Sequence, residues 1–442
     1  MTEVEENMGA MASELKQIVG IEGIRTWENL DPVVRQRLVE AIVPGCQPDY
    51  VLSPPNPEAL GKVMALAFEN RQRILPKGHG SKLHWGGLVR DPNWIVSTER
   101  LDGIIEHAVG DFTLTVEAGM KLADIQATLA KTGQFLAIDP GYAQTASIGG
   151  IVATGDAGSW RQQYNSVRDQ LIGISFCRYD GQIVKAGGRV VKNVAGYDLM
   201  KLLTGSYGTL GIITQLTFRL HPLPEASQTV VLTGEAEAIA SALQTLLSSS
   251  LTPIAADLLS SQMVANLDIG TGLGLMVQFQ SLPESVAEQS RRVLEWGDKL
   301  GLSGGSYGEG DEVELWRRSK TLMESPLSTP RILGKMGVKS TAAVTALIQL
   351  DAMFPQQAMG LIHVGSGLGK VAIAAERLGT ATSKWRSICQ SHGGFLTVLE
   401  APISVKQQID IWGYNGNAIE MMKQLKHKFD PENLLSPGRF IV

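Results

Sequence analysis

Glycine is concentrated in one part of this 442-residue chain, and that concentration limits what the segment can form. Between Pro76 and Gly211 lie 21 of the 48 glycines, with short strand-like runs between them and no fixed period. The missing period excludes collagen, and the intervening runs exclude a low-complexity linker. Because glycine tolerates positive φ and lets a ligand approach the backbone, the pattern predicts a binding site built from loops.

Composition and charge narrow the class of protein. Hydrophobic residues make up 44% and charged residues 19%, which supplies enough apolar surface for the cores of two or three domains. The formal net charge of −5 offers no basic surface for nucleic acid. Cys46, Cys177 and Cys389 are far apart, so we expect no metal site or iron–sulfur cluster held by this chain alone.

The N-terminus and the longest uncharged run indicate where in the cell the protein is located. Residues 1–17 are acidic and lack the basic and apolar regions of a signal peptide. Residues 238–256 are too rich in Ser and Thr to span a bilayer. Ile239, Leu243, Leu246 and Leu247 share one helical face there and predict an amphipathic surface helix. Together with the sparse cysteines, these features predict a cytoplasmic protein.

The order of predicted strands and helices indicates two α+β domains in series. Residues 1–46 are predicted to form an N-terminal helical segment, residues 47–223 a first domain, and residues 224–442 a second. The boundary follows from a predicted strand, residues 210–220, which a proline-rich sequence ends.

Particular elements carry sharper predictions. Asp180-Gly181 predicts a type I′ turn joining two strands into a hairpin. Helices are predicted over residues 284–300 and 409–429, and a strand over residues 275–280.

Two glycine strings imitate nucleotide-binding motifs, but their context favours turns between strands. Residues 270–274 run into a predicted strand and not into a helix. In residues 365–370, Lys370 stands where the dinucleotide fingerprint has Gly or Ala, and no Ser or Thr follows it as in a phosphate loop. A dinucleotide site remains the alternative for these strings.

Three other strings are the candidates for a ligand site. They are ILPKGHGSKLHWGG at 74–87, the small residues of 139–155, and KNVAGYDLMKLLTGSYGTLGIIT at 192–214. The first places a short loop after a strand, where backbone N–H groups can converge on a pyrophosphate, although an ordinary turn is an equal alternative for that loop alone. Three such strings in one domain predict a long, extended ligand.

These strings resemble, in order and content, the FAD-binding domain of the vanillyl-alcohol oxidase/p-cresol methylhydroxylase (PCMH) type. The resemblance covers roughly residues 50–223, and residues 429–439 resemble the closing motif of the same group. Residues 192–214 are most similar to the E subunits of glycolate oxidase. The resemblance implies an α+β fold: a PCMH-type two-subdomain FAD-binding domain at 47–223, followed by a smaller α+β cap or substrate domain at 224–442.

The resemblance also implies which residues contact the FAD. They are Pro76, Lys77, Gly78, His79, Gly80, Ser81, Lys82, Pro140, Gly141, Ser147, Gly149, Gly150, Thr154, Gly155, Arg168, Asp169, Lys192, Asn193, Tyr197, Gly208, Gly211 and Ile213. An internal ion pair is the alternative for Arg168 and Asp169, and a structural polar cluster is the alternative for Lys192, Asn193 and Tyr197. The histidine that carries covalent FAD in some relatives aligns with Gly80, so non-covalent FAD is expected.

The function implied by the resemblance is oxidation of glycolate, or a similar small 2-hydroxy acid, by hydride transfer to FAD. A second flavin subunit and an iron–sulfur subunit are the implied partners, because this chain lacks the cysteines for a cluster. His363, His392 and Arg331 are candidates for the catalytic half, with ordinary core or surface roles as the alternative. A non-catalytic FAD-holding assembly subunit and an autonomous FAD-dependent oxidase are the rival functions.

Overall fold

The computed structural model of the chain describes residues 3–188, 197–324 and 330–442. Its helices are α1 (Glu3–Val19), α2 (Pro32–Val39), α3 (Pro57–Glu69), α4 (Leu122–Ala130), α5 (Ile148–Thr154), α6 (Arg161–Tyr164), α7 (Val167–Gln170), α8 (Leu199–Leu203), α9 (Ala236–Ser248), α10 (Ser261–Leu267), α11 (Pro283–Lys299), α12 (Glu309–Glu324), α13 (Ala343–Met353), α14 (Leu378–Ser391), α15 (Ile403–Lys406) and α16 (Ile419–Phe429).

The strands form sheets that mix short parallel and longer antiparallel pairs. They are β1 (Ile24–Thr26), β2 (Tyr50–Leu52), β3 (Ile74–Lys77), β4 (Trp94–Ser97), β5 (Ile104–Ala108), β6 (Thr113–Glu117), β7 (Gln134–Phe135), β8 (Leu171–Cys177), β9 (Ile183–Gly187), β10 (Ile212–Arg219), β11 (His221–Pro222), β12 (Ala226–Gly234), β13 (Ala255–Leu259), β14 (Leu273–Ser281), β15 (Ser303–Gly308), β16 (Arg331–Gly337), β17 (Ala358–His363), β18 (Leu368–Ala374) and β19 (Phe395–Glu400).

Two units divide the chain, and each has its own hydrophobic core. Unit 1 consists of residues 1–156, 166–222 and 415–442, and unit 2 of residues 157–165 and 223–414. Unit 1 is left and unit 2 begins between Pro222 and Leu223. The chain is less simply divided than expected, because the last segment, 415–442, packs with unit 1 and the short segment 157–165 with unit 2.

Unit 1 contains two larger sheets, as a two-subdomain fold requires. One has the strand order β1-β2-β4-β3, with β2 and β3 both parallel to β4. The other is antiparallel with the order β5-β6-β10-β8-β9. Helix α3 covers the first sheet with an apolar face, on which its own residues Leu60, Val63 and Met64 are buried. The Asn56 side chain caps the helix by accepting a hydrogen bond from Ala59 N at 2.8 Å.

The hairpin predicted around Asp180-Gly181 is present, but its turn is of a different type. Strands β8 and β9 pair antiparallel from Gly173 opposite Gly187 to Cys177 opposite Ile183. Gly181 has φ of +85°, whereas Asp180 has no positive φ, so the prediction of a type I′ turn was wrong. Arg178 N donates to Gln182 O, which closes a three-residue loop that needs positive φ only at its last residue.

Unit 2 is built on one antiparallel sheet with the order β15-β12-β14-β13-β17-β18-β16-β19. Helices α9, α11, α13 and α14 pack their apolar faces on one side of it, in a single core with Val277, Ile362 and Ile373 of the strands. The predicted amphipathic helix is α9, although Leu247 of the predicted face is 52% exposed. None of the helices in the described ranges combines the length and apolar composition that crossing a membrane requires.

Three further sequence predictions have different outcomes in the structure. Residues 365–367 are the turn between β17 and β18, as predicted. Residues 270–272 instead connect helix α10 to β14. The helix predicted from residue 409 begins ten residues later, because the Asp410 side chain accepts hydrogen bonds from Trp412 N and Gly413 N and forms a turn there.

Candidate functional site

One cleft of unit 1 brings the three predicted glycine strings together. It opens beyond the carboxyl end of β3 and runs along the start of α5 to the loop that precedes β10. The predicted FAD contacts that line it are Pro76, Lys77, Gly78, Gly80, Ser81, Lys82, Ser147, Gly149, Gly150, Thr154, Gly208, Gly211 and Ile213.

Glycine is needed in this cleft for two separate reasons. A Cβ added at Gly78 would lie 2.0 Å from Ser147 Oγ, so only glycine allows the first and second strings to meet. Gly80 has φ of +79°, and a Cβ there would find no atom within 4 Å. The backbone at Gly80 therefore faces open space inside the cleft, as a cradle for an extended ligand requires.

The lysines of the cleft already have anionic partners. Lys77 Nζ lies 3.1 Å from Glu99 Oε2, and the cation holds the pKa of Glu99 below its usual range despite the opposing effect of burial. Lys82 Nζ lies 2.8 Å from Asp156 Oδ2, and both side chains are buried. Asp156 Oδ2 also accepts a hydrogen bond from Gly141 N, which ties the second string to the first. A ligand's negative charge would therefore meet backbone N–H groups and hydroxyls first.

Several predicted contact residues lie outside the cleft lining. The His79 ring forms a hydrogen bond with Gly119 O at 3.0 Å, and burial lowers the pKa of this imidazole. Gly155, with φ of +59°, ends helix α5. Asp169 accepts from Ser166 N and Oγ in a capping box at the start of α7, while Arg168 next to it is exposed.

The remaining predicted FAD contacts are buried outside the cleft, exposed, or outside the described residues. Pro140 is buried and lies outside the cleft lining. Tyr197 is 91% exposed. Lys192 and Asn193 lie outside the described residues. For all of these, a role in cofactor binding stays a prediction.

The structure adds cleft residues that the sequence argument did not assign. They are Leu75, Leu83, Thr98, Ala153, Tyr207, Ile212 and Arg439. A signal existed for three of them. Thr98 follows β4, whose carboxyl end lies beside that of the parallel strand β3, and Tyr207 and Arg439 belong to motifs already singled out.

Arg439 and Tyr207 hold the C-terminal segment against the cleft. The Arg439 guanidinium donates to the carbonyl oxygens of Leu83 and Gly87, and burial lowers its pKa to about 10, which leaves it charged at neutral pH. The Tyr207 ring stacks on Phe440 with centroids 5.9 Å apart. Arg439 of the closing motif therefore binds the loop after β3 through two main-chain carbonyl groups.

A buried lysine fastens the other side of the cleft. Lys426 Nζ donates to Thr209 O at 3.0 Å, to Leu435 O at 2.9 Å and to Asp430 Oδ2 at 2.5 Å. Asp430 in turn accepts from Leu434 N and Leu435 N. The glycine-rich loop that contains Thr209 is thus held by α16 and the segment that follows it.

Two of the three catalytic candidates have structural partners in unit 2. Arg331 is buried, and its Nη atoms donate to Leu322 O and Met323 O at the C-terminal end of α12. These carbonyl groups lack partners within the helix, so the guanidinium caps it. His392 follows α14, and its Nε2 lies 2.8 Å from Gln349 Oε1 of α13, among the helices that cover the sheet.

His363 is different, because a buried carboxylate holds it. Its Nδ1 lies 2.6 Å from Asp257 Oδ1, and Asp257 Oδ2 accepts a hydrogen bond from Ser159 Oγ at 2.5 Å. All three side chains are buried. The sequence argument named His363 but neither Asp257, 106 residues before it in the chain, nor Ser159, which binds Asp257 from 98 residues further back.

Comparison with known proteins supports the assignment of the cleft. Residues 48–187 match the FAD binding domain family. Glycolate oxidase subunit GlcD of Bacillus subtilis is 26% identical over 419 residues, 89% of each chain. A mitochondrial cytochrome-type D-lactate dehydrogenase of Arabidopsis thaliana is 26% identical over 430 residues, 89% of this chain and 73% of the relative. Glycolate oxidase subunit GlcE of Escherichia coli is 36% identical over 171 residues, 38% of this chain and 48% of the relative.

A solved structure shows the fold. The structure of p-cresol methylhydroxylase with substrate bound has a TM-score of 0.73 and 15% identity, over 99% of this chain and 97% of that chain. Residues 48–187 therefore form an FAD-binding domain, the chain has the fold of p-cresol methylhydroxylase, and FAD is its cofactor. The two-domain α+β prediction is confirmed, and the resemblance extends to GlcD over most of the chain and to GlcE over less than half of it.

Proposed function

We propose that the chain is an FAD-dependent oxidoreductase that oxidises a small 2-hydroxy acid, such as glycolate, to the 2-oxo acid. The observation that carries the proposal is the glycine-lined cleft of unit 1, which has room for an extended ligand along three loops. Most of its lining residues lie in the segment matched by the FAD binding domain family. The substrate class follows from relatives named for glycolate and D-lactate.

The cofactor would be held mainly by main-chain atoms. Loop residues 78–82 would bind the pyrophosphate through backbone N–H groups and the Ser81 hydroxyl, since Lys77 and Lys82 are paired with carboxylates. The Gly208–Gly211 loop would hold the adenine end. We infer non-covalent attachment, because the His79 ring is turned to Gly119 O and does not line the cleft. Bound FAD supplies the chemistry of hydride acceptance.

The electrons would leave through another subunit. The chain has three cysteines, of which Cys177 and Cys389 are buried in separate units, so it does not supply the thiolates of an iron–sulfur cluster. We propose an iron–sulfur subunit and a second flavin subunit as partners, in line with relatives named as glycolate oxidase subunits. In this proposal the protein is cytoplasmic, and any membrane association is made by the partners.

The test is an anaerobic spectrum of the purified, FAD-loaded chain. Glycolate, D-lactate and L-lactate should bleach the oxidised flavin bands, whereas acetate and 3-hydroxypropionate, which lack a 2-hydroxyl group, should leave them unchanged. Added partner subunits or an artificial one-electron acceptor should restore the oxidised spectrum faster than oxygen does.

The other outcomes separate the rival functions. Flavin that stays oxidised with every 2-hydroxy acid, with and without partners, would refute the proposal and leave an FAD-holding assembly subunit. Rapid reoxidation by oxygen alone would instead identify an autonomous oxidase. Bleaching by 3-hydroxypropionate as fast as by glycolate would refute the substrate class.

A further inference from the structure

The cationic side chains that line the cleft of unit 1 differ in what balances their charge. Among the described residues of the lining, Lys77, Lys82 and Arg439 are cationic and none is acidic. Glu99 and Asp156, from outside the lining, pair with the two lysines. Arg439 has no carboxylate partner in the described part of the chain, and its guanidinium binds main-chain carbonyl groups instead. Arg439 is therefore the cleft cation whose charge these residues leave unbalanced.

The charge of Arg439 is also buried, since the residue is only 4% exposed. Burial lowers the pKa of the guanidinium to about 10, which leaves it charged at pH 7. The neighbouring Tyr207 supplies no counter-charge, because burial raises the pKa of its hydroxyl and keeps it neutral. A buried charge is costly unless it is paired, so an anionic ligand in the cleft would provide what the chain does not.

Arg439 also keeps hydrogen-bond donors for such a ligand. A guanidinium has five N–H groups. Nη1 donates to Gly87 O at 3.2 Å and Nη2 to Leu83 O, and these are the hydrogen bonds of this side chain within the described residues. Three N–H groups remain, in a side chain that lines the same cleft as Gly80 and Ser81. Their planar, fork-like arrangement suits the oxygen atoms of a phosphate.

The C-terminal segment that carries Arg439, residues 436–442, is attached to the loop after β3 largely by hydrogen bonds. The main-chain N–H groups of Gly87 and Arg90 donate to carbonyl oxygens of the segment at 2.9 Å each. Its last three residues are half-buried, and Ser436 at its start has a φ of +49°, a conformation that is disfavoured for serine. A chain end held in this way can open locally while the core stays folded.

We propose that Arg439 supplies the positive charge for the pyrophosphate of FAD, and that bound FAD thereby holds the C-terminal segment closed. The inference rests on the proposed placement of the pyrophosphate at residues 78–82 and deepens it. An anion at the guanidinium stabilises the closed position of the segment. By linkage, closure of the segment then favours FAD binding by the same factor as FAD binding favours closure.

FAD titration of the apoprotein should rank the variants of Arg439 by charge. Arg439→Met removes the charge, and Arg439→Gln removes it but keeps N–H donors for the carbonyl groups. Both should bind FAD roughly 10- to 100-fold more weakly, the effect expected for one hydrogen bond to a charged group. Arg439→Lys keeps the charge and should stay within about fivefold of the wild type. Arg90→Met is the matched control, because the Arg90 side chain is exposed, lies beside the same segment and does not line the cleft.

Amide hydrogen exchange of the full chain, with and without FAD, tests the coupling independently of any substrate. In the wild type and in Arg90→Met, the amides of residues 87 and 90 should exchange more slowly when FAD is bound, because they donate to the C-terminal segment. In Arg439→Met with saturating FAD, the same amides should exchange as in the apoprotein. The amide of Leu60 in helix α3, which donates to Asn56 O, is the internal control and should not respond to FAD.

The inference and the proposed function fail in different ways. If Arg439→Met binds FAD within about threefold of the wild type, Arg439 does not supply the charge. If Arg439→Lys binds as weakly as Arg439→Gln, the shape of the side chain and not its charge explains the loss, which also overturns the inference. Equal exchange at residues 87 and 90 with and without FAD in the wild type would overturn the coupling. A wild type that binds FAD but oxidises no 2-hydroxy acid would instead refute the proposed function and leave this inference standing.

Discussion

Replacing Gly78 by alanine tests the geometry of the cofactor cleft with a single methyl group. The added Cβ would lie 2.0 Å from Ser147 Oγ and 2.9 Å from Ser147 Cβ. Either the loop after β3 or the start of α5 must then shift, and both line the cleft. Such overpacking costs about 1–3 kcal/mol, so we expect FAD affinity to fall roughly 5- to 150-fold.

A second substitution predicts the rescue. Ser147→Gly removes both clashing atoms, whereas Ser147→Ala removes Oγ and leaves the Cβ contact at 2.9 Å. Ser147 Oγ also accepts from Gly150 N at 3.4 Å, and losing that cap to glycine costs only a few tenths of a kcal/mol. The Gly78→Ala/Ser147→Gly double variant should therefore bind FAD almost as tightly as Ser147→Gly alone, and Gly78→Ala/Ser147→Ala should be intermediate.

The assay is FAD titration of the apoprotein, followed by quenching of flavin fluorescence. Gly80→Ala is the control: its Cβ would meet no atom within 4 Å, so any loss comes from positive φ or from the ligand and should not be relieved by Ser147→Gly. Wild-type FAD affinity in Gly78→Ala, or a double variant no better than Gly78→Ala, would refute this contact as the reason for glycine.

Three further predictions concern groups away from this contact. In the folded protein a thiol reagent should modify Cys46 and leave Cys177 and Cys389 unmodified, because burial raises the pKa of each of these two thiols to about 12. Fast modification of all three thiols without denaturant would contradict the burial of Cys177 and Cys389. Arg331→Met should lower the free energy of unfolding by about 2 kcal/mol in a denaturant titration while the FAD of the folded protein is still reduced, since the guanidinium caps a helix. A reduction defect at normal stability would return Arg331 to the catalytic candidates. Burial lowers the pKa of His79, so below about pH 6.5 the unfolded state binds more protons than the folded state, and the stability should fall as the pH drops toward the lowered pKa. His79→Gln should flatten that part of the plot of melting temperature against pH. An unchanged plot in the variant would contradict the prediction.

Local signals accounted for much of unit 1. Helix α3 begins at Asn56-Pro57, a start signal that is local because a cap and a proline act on the residues beside them. The hairpin of β8 and β9 was also predicted from a local signal, Asp180-Gly181. Its turn type was predicted wrongly, because the loop contains a third residue in addition to this pair. Where a prediction failed, as in the late start of α16, a side chain had competed locally for the backbone.

The cleft of unit 1 could be anticipated because glycine marks its loops in the sequence. A loop that must meet another chain segment or a ligand at backbone distance excludes a side chain, and this exclusion is visible residue by residue. Lys426 carried no such mark, and the closing motif singled out Arg439 without indicating its contacts. Only the fold shows that each is buried and bound to carbonyl groups of the cleft loops.

The chain's own sequence determined the FAD-binding character of its glycine-rich region, the α+β composition and the existence of a second unit. Glycine spacing, hydrophobic periodicity and turn residues are local properties, so they can be read along the chain. The cluster of Ser159, Asp257 and His363 was decided by tertiary structure alone. Asp257 and His363 meet because β13 and β17 pair in one register, and a shift of either strand by one residue would have placed that strand's side chain on the core face.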